Sequence, residues 1–351
     1  MKNDIENASL VTGDMVAQHS GDFIPQYGLL GCLAGEEPSL PASQMFLNTN
    51  APLSTFICGV QGSGKSHTTS CILENSVISS PHLGKLESPV CTLVFSYGEW
   101  SSGGKGFNIS EATHLAGTSQ RFPGHNVKRV TVLTSPSNPG IKSKYQRYFN
   151  VRIIPFKLKA KSLDIGAMNT LMAVDEKSST PLYMAQVQAI LRDLATTSSE
   201  GVLDYANFKQ RLAREKFDST QTNMLKMRLN LLESYLDLTD KAPEADFLPG
   251  EVTIIDLSDA FLTPNTACAL FKLCAVQFMD RDVPGKMIVL DEAHKVRSKH
   301  SFSDCNANRL STCTILKARR SSRVTSTKPS ASNGIRLSVW SSQLRSLRCQ
   351  R

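Results

Sequence analysis

Residues 59–66, Gly59-Val60-Gln61-Gly62-Ser63-Gly64-Lys65-Ser66, satisfy G-x-x-x-x-G-K-[ST] at every fixed position and follow an apolar run, Thr55-Phe56-Ile57-Cys58. That pattern (Walker A) marks a loop able to cradle the phosphates of a nucleoside triphosphate. Glycines at 59, 62 and 64 allow positive φ and close approach to phosphate oxygens, so successive N–H groups can turn toward the anion. Lys65 is expected to reach the β and γ oxygens. Ser66 is expected to offer its hydroxyl to Mg²⁺, an ion that keeps most of its waters and takes few protein ligands. Gln61, Ser63 and His67 complete the set expected around ATP.

Such a loop needs an acidic partner to support the metal and activate water. Met287-Ile288-Val289-Leu290-Asp291-Glu292 reads as a buried strand (Walker B) whose carboxyl end carries two acids. Asp291 is expected to hold Mg²⁺ through water, and Glu292 to act as general base, since a metal-bound carboxylate is a poor base. Val252-Thr253-Ile254-Ile255-Asp256 is a rival strand ending in one acid, and it is read as a neighbour in the sheet. Asp291-Glu292-Ala293-His294 also spells the DEAH box of a helicase class. The 60 residues that follow Asp291 (351 − 291) are too few for the second α/β domain such an enzyme requires, so His294 is read as incidental.

These residues need particular elements to position them. A strand must deliver the loop, and a helix from about Gly64 toward Ile78 must aim its positive end at the phosphates. Further buried strands are predicted at Val90-Cys91-Thr92-Leu93-Val94-Phe95, Val130-Thr131-Val132-Leu133 and Val151-Arg152-Ile153-Ile154. Residues 163–238 carry helical spacing in Leu182, Ala185, Ala189 and Ile190, and in Met224, Leu225, Leu229, Leu232 and Leu236, which predicts a helical insertion. Ser101-Ser102-Gly103-Gly104-Lys105-Gly106 lacks a Ser or Thr after its Lys and reads as a surface loop. Residues 1–45 are mixed and polar, and are expected to be a loosely ordered lead-in.

From Phe46-Leu47-Asn48-Thr49-Asn50-Ala51-Pro52 through the loop, and again over residues 251–259 and 286–295, the chain resembles a fungal family of P-loop proteins. That family is similar in turn to HerA/FtsK-like ring ATPases with an AAA-like domain. Pro181-Leu182-Tyr183 and Leu191-Arg192-Asp193-Leu194 are further points of similarity. The resemblance implies an α/β P-loop NTPase fold (RecA/HerA-like) over residues 46–296: a mainly parallel sheet flanked by helices, with the insertion at about 163–238. It implies Mg²⁺-dependent ATP hydrolysis driving a motor or remodelling activity, and assembly into a homo-oligomeric ring. It also implies one more core strand after Asp291, ending in a polar residue that senses the γ-phosphate, and an arginine that reaches a neighbour's site. Arg323-Val324-Thr325-Ser326-Thr327 only weakly echoes that strand. Without those elements, the alternative is an ATP-binding regulatory or scaffold protein with little or no hydrolysis.

The net charge of +8 is unevenly distributed. Residues 297–351 hold twelve Lys or Arg against one acid, Asp304, leaving −3 (8 − 11) on residues 1–296. This Ser- and Arg-rich tail lacks sustained apolar periodicity and is expected to be disordered. It reads either as a basic arm able to grip nucleic-acid phosphates or, preferably, as a reading frame that departs from the family's after about residue 297. Nine scattered cysteines without a CxxC pair, and seven histidines without zinc spacing, argue against a disulfide framework or a zinc site. No signal favours a Cys–His nucleophile over phosphate chemistry. No apolar run approaches the roughly 20 residues that cross a bilayer, and a cytoplasmic or nuclear location is expected.

Overall fold

A computed structural model of the chain describes residues 2–60, 62–98, 108–117, 122–159, 163, 168, 171–172, 182–197, 203–293 and 312–320. The first elements are α1 (Lys2–Asn7), β1 (Leu10–Thr12), α2 (Gly13–His19), β2 (Tyr27–Cys32) and β3 (Gln44–Asn48). This corrects the expectation of a loose lead-in. Val11, Val16 and Ile24 are too few to show a helical or strand period, yet they close a small core with Tyr27 and Phe46. The Tyr27 and Phe46 rings meet edge-on at 5.5 Å.

Next come β4 (Leu53–Gly59), α3 (Lys65–Val77), β5 (Gly84–Lys85), β6 (Cys91–Ser96), a 3₁₀ turn (Glu111–Ala116), β7 (Val130–Thr134), α4 (Pro139–Tyr145), β8 (Val151–Pro155) and β9 (Leu158–Lys159). Strands β1, β3, β2 and β5 form an antiparallel sheet in that order. It is tied to α3 by the Asn75 side-chain amide, which donates to the Leu29 carbonyl at 3.0 Å. The region read as helical holds α5 (Leu182–Thr197), α6 (Tyr205–Arg214) and α7 (Ser219–Ser234), followed by β10 (Leu236–Asp237), β11 (Val252–Asp256), α8 (Pro264–Met279), β12 (Gly285–Leu290) and β13 (Thr312–Arg320). Strands β9 and β10 pair in parallel.

The central sheet has seven strands in the order β4-β13-β12-β6-β11-β7-β8. Strands β12, β6, β11, β7 and β8 are parallel neighbours. Strand β13 is antiparallel to both β12 and β4, so β4 points the same way as the five. Every residue of β6, β7 and β11 is buried, the signature of strands covered on both faces.

Two cores occupy those faces. Ile57, Val94, Val132, Ile254, Met287 and Val289 pack with Ile72, Leu73 and Val77 of α3. Leu93, Phe95, Leu133 and Ile255 pack with α5 to α8 on the other side. Each fully buried Ile or Leu contributes about 1.5–3 kcal/mol, so α3 is fixed to the sheet by three such residues in line.

Two expectations need correction. Ala185 and Ala189 are exposed, and the buried stripe of α5 is Tyr183, Met184, Val187, Ile190, Leu191 and Leu194. Large side chains dictate which helix face turns inward, and alanines mislead. Within α7, Met224 is exposed while Leu225 and Leu232 are buried. Residues 312–320 of the tail expected to be disordered form β13, between β4 and β12. The echo at 323–327, the loop at 101–106 and His294 lie outside the described residues.

Candidate functional site

The loop closes between β4 and α3 as the motif requires, with one difference in how its glycines act. Gly62 and Gly64 are left-handed, at φ 79° and 86°. Gly59 is the last residue of β4, and there it is space that matters, because a Cβ would collide with the Ser63 side chain. The Ser63 N–H donates to the Val60 carbonyl at 3.1 Å, which tightens the turn.

Gly64 caps α3 without a side-chain hydrogen bond, and no acidic side chain stands in the first turn. The N–H groups of that turn and the positive helix end therefore suit an anion. Lys65 is buried, and its Nζ donates to the Val60 carbonyl at 2.7 Å, back across the loop it belongs to. His67 lies one turn before Cys71, with Nε2 and Sγ 3.8 Å apart along α3. Gln61 lies outside the described residues.

Ser66 and Asp291, far apart in sequence, line one cleft at the carboxyl ends of β12 and β6, together with Thr69, Ser110 and Glu111. Period-two alternation explains why Asp291 is there. Met287 and Val289 face the α3 side of the sheet, while Ile288 and Leu290 face the other core. The ladder continues one residue past β12, where the Asp291 N–H donates to the Phe95 carbonyl at 2.9 Å. Asp291 therefore follows 287 and 289 to the α3 face.

Glu292 is the next residue, and it is not among the residues that line the cleft. Its backbone is left-handed at φ 53°, and its N–H donates to Asp291 Oδ1 at 3.0 Å. The second carboxylate that does line the cleft is Glu111, at the start of the 3₁₀ turn. Sequence reading missed Ser110 and Glu111 because no motif accompanies them. They reach the cleft only because Ala112, Leu115 and Ala116 bury that turn in the core that holds α3.

The rival acid, Asp256, does different work. Fully buried, it accepts a hydrogen bond from Tyr145 Oη at 2.6 Å and one from the Ser258 N–H at 2.9 Å. Tyr145 Oη in turn accepts the Ser110 N–H at 3.1 Å. A chain of hydrogen bonds thus runs from the core to the wall of the cleft.

Burial pushes the Asp256 carboxyl above the usual carboxylate range, against the lowering effect of its Ser258 and Tyr145 hydrogen bonds. The folded state then keeps this proton to higher pH than the unfolded chain does. The contribution is greatest below the ordinary value of 3.8 and declines as pH rises through the folded pKa. Asp256→Asn should remove that component. Urea unfolding from pH 4 to 6 is expected to lose less stability with rising pH in the variant than in the parent, and equal slopes would refute the assignment.

Asp259, nearby on the same edge, is saturated: Ser135, Ser137 and Tyr235 bond to Oδ2, and the Phe261 N–H donates to Oδ1 at 2.9 Å. Burial pushes the Cys91 thiol up to about 11 and the Cys274 thiol up to about 12, which leaves both unreactive at neutral pH. A thiol reagent at pH 7 is therefore expected to modify Cys91 and Cys274 only after denaturation, and rapid native labelling of either would contradict their burial. Among the described residues no three His, Cys, Asp or Glu side chains converge on a metal site, and no helix is long and apolar enough to cross a membrane. Comparison with family models and with curated proteins gives no match to this chain.

Proposed function

We propose that this chain binds Mg²⁺-ATP between β4 and α3 and hydrolyses it, as a motor or remodelling ATPase of the HerA/FtsK-like kind. The observation that carries the reading is the meeting of Ser66 and Asp291 in one cleft, with Ser66 on the helix that the left-handed Gly64 of the motif caps. The residues also fit the group chemically. The metal side offers a hydroxyl and carboxylates, the hard oxygen ligands Mg²⁺ takes, and the phosphate side offers N–H groups and one ammonium.

Bound Mg²⁺-ATP would supply a γ-phosphoryl group whose negative charge the ion offsets. Lys65 would give up the Val60 carbonyl for phosphate oxygens. Ser66 and Asp291 would support the metal; Glu292, next to Asp291 but not among the residues that line the cleft, would have to turn toward it to activate water. Phosphate release from ATP by the purified chain tests this. Turnover is expected in the parent and is expected to fall at least about 100-fold in Lys65→Ala and in Glu292→Gln. If the machine moves DNA, added DNA should raise the rate. A parent that releases no phosphate would sink the hydrolytic reading.

One observation favours a second reading, ATP binding without turnover. Strand β13 lies between β4 and β12, the place for a strand bearing a γ-phosphate sensor, but it runs antiparallel. Its first residue, Thr312, is level with Gly59, and its last, Arg320, pairs with Gly285 at the amino end of β12. A polar residue at the end of this strand is therefore far from the phosphate loop. ATP binding that needs Lys65 but gives no phosphate would select this reading.

A further inference from the structure

We infer that Glu111 is a second carboxylate on the metal side of the proposed Mg²⁺-ATP site, in the small cleft that Asp291 also lines, and that Ser110 completes that lining. The inference rests on the Mg²⁺-ATP reading of Ser66 and Asp291, and it adds residues to that site that no motif predicts.

Three observations converge. Glu111 and Ser110 line the same cleft as Ser66 and Asp291, and they arrive from a different part of the fold. Ser110 is 2% exposed, and its hydroxyl has no hydrogen-bond partner among the described residues. A buried hydroxyl without a partner is costly, and a bound water or ion shell that accepts or donates there removes that cost. The third observation is rigidity. The Ser110 N–H is held by Tyr145 Oη, which is held by the buried Asp256. Ala112, Leu115 and Ala116 seat the turn in the core beside Ile72 and Leu73. A carboxylate on so fixed a base can serve a ligand without being reordered first.

The chemistry follows from what Mg²⁺ requires. The ion keeps several waters, and those waters donate hydrogen bonds. Asp291 and Glu111, both lining the cleft, supply acceptors for them. Glu292 does not line this space. Outer-shell acceptors of this type alter metal affinity by about 10–100-fold when removed.

The experiment is a Mg²⁺ titration of fluorescent ATP-analogue binding by the full chain, comparing the parent with Glu111→Gln, Glu111→Asp and Lys65→Ala. Glu111 is exposed in the structure, so neither of its variants removes packing. Glu111→Gln is expected to raise the Mg²⁺ midpoint about tenfold, with analogue binding in EDTA unchanged and partial recovery in Glu111→Asp. An unchanged midpoint in Glu111→Gln, alongside binding that Lys65→Ala abolishes, would overturn the role of Glu111 and leave the phosphate site standing. Analogue binding that survives in Lys65→Ala would overturn the phosphate site, and the role of Glu111 with it.

Discussion

Lys65→Ala is expected to weaken ATP binding by about two orders of magnitude while the protein stays folded. Among the described residues the ammonium makes one hydrogen bond, to the Val60 carbonyl of its own loop. Replacement therefore removes little that holds the fold, and alanine is the best helix former at the first position of α3. With ATP bound, the same ammonium would serve phosphate oxygens through charge-assisted hydrogen bonds, each worth about 1.5–3 kcal/mol. Two such contacts correspond to roughly a hundredfold in affinity or more. Equilibrium titration with fluorescent ATP, beside a thermal melt of each protein, checks both halves. A variant that binds as tightly as the parent would remove the phosphate loop from the site.

The second large effect concerns stability. Asp256→Ala is expected to cost about 3 kcal/mol, because it strips the acceptor from two buried donors, Tyr145 Oη and the Ser258 N–H. Tyr145→Phe in the same background should recover part of the loss, since it removes one of the orphaned donors, so the double variant should be less destabilised than the two single losses added. Urea unfolding of the four proteins measures the coupling. A loss below about 0.5 kcal/mol in Asp256→Ala, the range of an ordinary surface substitution, would mean that Asp256 is not the anchor of this edge.

The strands of the central sheet were largely legible, for a physical reason. Runs such as Thr92-Leu93-Val94-Phe95 and Val252-Thr253-Ile254-Ile255 are continuous because both their faces are covered, and continuity survives reading without a partner in view. The loop was legible because glycine, lysine and serine at fixed spacing state a chemical requirement.

What the sequence concealed lay in long-range pairing. Nothing in residues 312–320 announces a strand, yet β4 and β12 offer a slot that β13 fills. Nothing in Leu10-Val11 or Tyr27-Gly28 signals a sheet until Phe46, Leu47 and Asn48 stand opposite. The site shows the same division. Lys65, Ser66 and Asp291 follow from local pattern, whereas Ser110 and Glu111 depend on a hydrogen-bond chain through Tyr145 and Asp256 that joins segments more than a hundred residues apart.

The most direct measurement is a crystal structure of the full chain with Mg²⁺ and a non-hydrolysable ATP analogue. The β and γ phosphates should lie against the N–H groups of residues 62–66, with Lys65 Nζ moved off the Val60 carbonyl and the ion between Ser66 and Asp291. A nucleotide bound elsewhere, or Lys65 still on Val60 with the analogue present, would contradict the assignment of this cleft.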